Sequence, residues 1–197
     1  MYQTDSGRPL DLVNPSEIYQ VIADIKGGIE ACRERKFGGS MMKLVYCGID
    51  TMAYLSMPDG LSPQEMVSKQ KSHFIDWVKD YLGYLYPGCK PEYLWEARNG
   101  LVHSHSTESK NVKSGNVPSV VYVYRSRSPV SVGVDPNDRK VKRIMLSMER
   151  LIQEFFTGMD RFILELLADD HTRLRTIERC ESKLRAVDTL GRPVEHD

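Results

Sequence analysis

The chain has 197 residues, 41% of them hydrophobic and 27% charged, and its 27 Lys+Arg are balanced by 27 Asp+Glu. This is the make-up of a globular domain with room for a sizeable core. It excludes a protein that holds nucleic acid mainly by non-specific charge, so any phosphate contact must be local.

Residues 1–13 read as an N-terminal arm, 14–187 as a single helical domain and 188–197 as a tail. Asn14-Pro15-Ser16-Glu17 starts a first helix, whose Ile18, Val21, Ile22, Ile25, Ile29 and Cys32 recur at helical spacing. It is expected to end near Phe37-Gly38-Gly39. A second helix runs from about Ser40 to Leu55 on Met42, Val45, Tyr46, Ile49, Met52 and Ala53. Asp50 interrupts that stripe and is read as solvent-facing, with pairing to Arg98 as the alternative. Ser62-Pro63-Gln64-Glu65 supplies a cap, a first-turn proline and an acidic residue for a third helix, which is expected to reach about Leu85. Pro87-Gly88 stops it, and Lys90-Pro91-Glu92 opens a short fourth helix.

From Ser106 to Asp138 the pattern changes to Ser, Asn, Gly and Pro around two β-branched runs, Val120–Tyr124 and Val130–Val134. Residues 106–137 are therefore read as an insertion, a β-hairpin turning through 125–129 or a loop, beside the fourth helix and outside the main core. A long amphipathic helix is expected from about Asp138 to Leu167, then a polar helix over 170–187 anchored by Leu174, Ile177 and Leu184. The fold class is all-α, an up-and-down bundle with this small insertion.

No run of about 18 apolar residues is present to span a membrane, and the first residues lack the apolar core of a secretory signal. Cys32, Cys47, Cys89 and Cys180 have no zinc-site spacing; Cys47, in an apolar run, is read as a packing residue, and scattered cysteines without an export signal point to a reducing cytoplasm.

The densest chemistry lies in Glu96-Ala97-Arg98-Asn99-Gly100-Leu101-Val102-His103-Ser104-His105. A guanidinium, a carboxamide and two imidazoles stand here among Tyr93, Leu94, Trp95, Leu101 and Val102. Polar groups among such neighbours require partners. One reading is a solvated helix end loosened by Gly100; the other is a phosphate-handling acid/base site. On a straight helix, Leu94, Ala97 and Leu101 share a face, but Arg98 and His103 diverge by about 140°. Either the helix end distorts or the groups meet across two chains.

An arginine, a polar residue and a histidine four to six positions on, late in a helical chain, resemble the HEPN superfamily. Arg98-Asn99…His103 fits with a gap of four and His105 with a gap of six. Gly48-Ile49-Asp50 and Phe74-Ile75-Asp76-Trp77-Val78 are similar to segments of uncharacterised bacterial members, and the resemblance covers roughly residues 15–167. It implies a helical bundle that dimerises through the motif helix. Many members are metal-independent ribonucleases of toxin, defence or RNA-processing systems; others are binding modules without activity. Members coupled to nucleotidyltransferases carry tyrosine two positions after the histidine, where this chain has His105.

Cleavage by the RNA's own 2′-hydroxyl needs an acid/base group and a cation on the phosphorane, roles that histidine and arginine suit. The resulting expectation is a metal-independent endoribonuclease without a cofactor, in which Arg98 binds phosphate, His103 is the acid/base, Asn99 orients one of them and His105 assists or replaces His103. The expected partners are a second copy, an RNA substrate and a protein antitoxin or regulator. Two alternatives are a non-catalytic module binding nucleotide, RNA or protein, and a purely structural bundle. His73, His171, His196, the basic run Lys140–Arg143 and Ser106, Ser109 and Ser114 are read as structural or solvated.

Overall fold

The computed structural model describes residues 16–83, 89–104, 109–124, 130–134 and 142–184. The expected arm 1–13 and tail 188–197 lie outside these. Among the described residues the protein is mostly helical: α1 (Ser16–Glu34), α2 (Gly38–Leu55), α3 (Pro63–Tyr81), α4 (Pro91–Ser104), α5 (Lys110–Lys113), α6 (Met148–Ala168) and α7 (Asp170–Leu184). Three strands accompany them: β1 (Ser119–Val123), β2 (Val130–Val134) and β3 (Lys142–Ser147).

The most apolar of the stripes belongs to the helix at the centre. α2 touches α1, α3, α4, α6 and α7, and it buries Met41, Met42, Val45, Tyr46, Ile49 and Met52. Gly48 lets α6 come close, since a Cβ there would lie 2.5 Å from Phe155 Cζ. α3 and α6 meet through Trp77, Tyr81, Phe155 and Phe162, with ring centroids 5.1–6.3 Å apart.

Local signals explain most boundaries. Ser62 and Glu65 form a reciprocal capping box at the start of α3. α1 stops three residues before the expected Phe37. Phe37 N–H donates to Cys32 O and Lys36 N–H to Arg33 O, a Schellman turn with Lys36 at φ 59°. Gly38 and Gly39 therefore open α2 instead of closing α1.

The region after α5 corrects two expectations. β1 and β2 do not form a hairpin with each other. The sheet order is β1-β3-β2, with β1 parallel and β2 antiparallel to the central β3, so any hairpin is β2–β3. The expected helix from Asp138 begins only at Met148, because Lys142–Ser147 alternates as a strand. Ile144 and Leu146 are buried at period two, and Ser147 Oγ accepts from Arg150 N–H to cap α6. The insertion also reaches the core, contrary to expectation: Val120 of β1 belongs to the main apolar cluster, together with Ile144 and Leu146 of β3. Tyr122 of β1 shares a 2.5 Å hydrogen bond with Tyr46 of α2.

Polar α7 is anchored by more than its few apolar residues. Arg179 is buried and donates to the carbonyls of Tyr54, Leu55, Met57 and Pro58, closing the C-terminal end of α2. No helix among the described residues is long and apolar enough to cross a membrane.

Candidate functional site

α4 packs against α2, α3, α5 and β1. Leu94, Ala97 and Leu101 are buried, as their spacing requires. The apolar side of α4 is thus covered within one chain. Glu96 is also buried, at 5% exposure. Ser109 Oγ donates to its Oε2 (2.6 Å) and Asn111 Nδ2 to its Oε1 (2.8 Å), which ties α5 to the motif helix.

Arg98 organises the other polar side. Its Nε donates to Asp50 Oδ2 (2.8 Å), and Nη2 lies 2.6 Å from the same oxygen. The side chains of Arg98 and Asp50 are 11% and 17% exposed. Asp50 is therefore a nearly buried partner, not the solvent-facing residue expected from its place in the stripe. It is possible because α2 is central and α4 lies against it. Arg98 also sits over the Trp95 ring, 5.2 Å from its centroid, and Trp95 meets Phe74 edge-on at 5.3 Å.

The remaining nitrogen, Nη1, donates to Asn99 Oδ1 (3.0 Å) and lies 3.3 Å from His103 Nε2. Arg98 and His103 thus meet within one chain. The angular divergence of their Cα–Cβ directions is bridged by the long arginine side chain, without a second protomer. Arginine only donates, so this contact requires the lone pair on His103 Nε2 and its proton on Nδ1. His103 is exposed at the last turn of α4, so the pairing runs from a nearly buried carboxylate to an open imidazole.

Burial raises the Asp50 carboxyl from its ordinary value; the hydrogen bond and charge of Arg98, and then the charge of His103, pull it down again. Asp50 Oδ1 is buried and, among the described residues, accepts no hydrogen bond. Cys47, one turn earlier, is exposed and not the packing residue expected; its thiol is raised by partial burial and then by Asp50.

The structure therefore brings together three of the expected residues, Arg98, Asn99 and His103, while His105 lies outside the described residues. His73 is half-buried on α3 with its pKa lowered by burial, and its neighbouring charges are Asp76, Lys69 and Arg179. Ser109 and Ser114 cap α5, and Ser106 and His196 lie outside the described residues. Sequence spacing missed Trp95 as a platform and Ser109 and Asn111 as partners of Glu96. The only available signal was an acidic residue within an apolar helix. Among the described residues no group of three His, Cys, Asp or Glu side chains is arranged to hold a metal ion.

Comparison with protein-family models, with curated proteins and with solved structures gave no match. The HEPN resemblance therefore stands on the motif and its helical setting alone.

Proposed function

We propose that the protein is an endoribonuclease of HEPN type that cleaves RNA through 2′-hydroxyl attack without a metal. One observation carries this reading: Arg98 Nη1 and His103 Nε2 stand 3.3 Å apart at an exposed helix end, with Asn99 on the same nitrogen. A phosphodiester in place of this internal contact would meet a fixed cation and a base together. His103 Nε2 takes the 2′-hydroxyl proton. The oxygen attacks phosphorus, Nη1 stabilises the charge on the phosphorane, and the 5′ oxygen leaves as it gains a proton, a role the motif offers to His105. Asp50 holds the opposite edge of the guanidinium so that Nη1 faces outward. By the same resemblance the protein forms a homodimer and meets an antitoxin or regulator in the cytoplasm.

A second reading, a binding module without turnover, is favoured by one feature: two of three guanidinium nitrogens are already taken by a nearly buried carboxylate. End analysis of RNA incubated in excess chelator distinguishes them. The ribonuclease reading predicts 2′,3′-cyclic phosphate ends, and no cut where a 2′-deoxynucleotide replaces the residue before the cut. Binding without either outcome assigns the module.

A further inference from the structure

β2 forms an open edge of the sheet. β1 lies against α4 as well as β3, whereas the main contact of β2 is β3. The sheet order leaves the other edge of β2 without a strand among the described residues. Val132 pairs with Ile144 across the β2–β3 ladder, so the two side chains share a face. Ile144 is 4% exposed and Val132 61%. The apolar face of the sheet therefore runs past the core and ends at an uncovered valine. Edge strands that stay single are commonly blunted by charge, proline or a bulge. β2 reads Val-Ser-Val-Gly-Val, with neither charge nor proline, and its register against β3 is unbroken.

We infer that β2 pairs antiparallel with β2 of a second copy of this chain, about a two-fold axis at Val132, and so joins the two three-stranded sheets into one. The open edge of a sheet takes an extended strand. The order of residues makes that strand a copy of β2. About Val132, Ser131 meets the partner's Gly133 and Val132 meets the partner's Val132, so small and apolar positions match in both directions. An isologous contact requires this self-complementarity. Charge points the same way. A second β2 brings no like charges into opposition, and a charged peptide would find no opposite charge on the strand. The two valines cover one another on the face where each is exposed alone. The motif helix offers no such surface, because Leu94, Ala97 and Leu101 are buried within one chain. The inference does not depend on the ribonuclease reading.

The contact is one strand wide, so assembly is read at high concentration, about 100 μM. Sedimentation velocity of the wild-type chain is expected to show a dimer there. Val132→Lys and Val132→Glu each set like charges against one another across the two-fold axis. Each should raise the dimer dissociation constant at least about tenfold, with circular dichroism and thermal unfolding unchanged because Val132 is exposed. Equimolar mixing of the two variants opposes lysine to glutamate and should restore the dimer, a rescue that loss of folding cannot produce. A wild-type monomer at this concentration overturns the inference. So does a dimer that both variants retain, or a mixture that stays monomeric.

Discussion

Removing the Arg98 guanidinium strands a carboxylate that already has one unsatisfied oxygen. Arg98→Ala should cost about 2–3 kcal/mol, less than breaking a fully buried ion pair because both side chains retain some exposure. Adding Asp50→Leu should recover part of that loss, and a double-mutant cycle by urea denaturation measures the coupling. The two motif residues differ in setting: His103 is exposed and Arg98 is nearly buried. Because burial raises the Asp50 carboxyl, the unfolded chain releases this proton at lower pH than the folded chain does. Its contribution to stability therefore falls as pH rises from the ordinary carboxylate value through the raised one, and Asp50→Asn should remove that slope. The pairing itself was only an alternative in the sequence, since an acidic residue in an apolar stripe does not reveal which helix will lie against it. At the same scale, Lys36 adopts a left-handed conformation that glycine occupies freely, so Lys36→Gly should stabilise by about 1 kcal/mol, read as a higher Tm.

At the scale of elements, periodicity located the helices well where one face is buried. The stripe Leu151, Ile152, Phe155, Met159, Phe162 and Ile163 is both expected and observed in α6. It failed where a short segment fits two periods. Ile144, Met145 and Met148 match helical spacing, yet Ile144 and Leu146 also alternate, and Ser147 supplies the cap that divides strand from helix. Pairing order was beyond reach for the same reason. β1 and β2 are close in sequence, but the partner of both is a strand hidden inside an apparent helix. The sheet is fastened to α2 by the Tyr46–Tyr122 hydrogen bond, where burial raises both phenols. Tyr46→Phe and Tyr122→Phe should each cost about 1–3 kcal/mol by orphaning the other hydroxyl, and the double variant less than their sum. Gly158 abuts the end of α3, since a Cβ would lie 2.8 Å from Tyr81 O. Gly158→Ala should destabilise by about 1–3 kcal/mol, despite its gain in helix propensity.

For the whole molecule, the candidate site was legible as a cluster in sequence but not as an arrangement. Residue types and spacing placed Arg98, Asn99 and His103 on one short helix. The reach of the arginine side chain, the Asp50 brace and the Trp95 platform depend on how α2 and α3 pack around α4, which spacing along one helix cannot encode. The proposed ribonuclease function requires this arrangement to do acid/base chemistry on RNA. Single-turnover cleavage in excess chelator by wild-type protein and by His103→Ala tests it most directly, because His103 is exposed and its removal leaves the Arg98–Asp50 pair in place. Cleavage by the wild type and a loss of about a hundredfold or more in a folded variant is the predicted result. Equal rates for the two proteins, or no cleavage by either across varied RNAs, would contradict it.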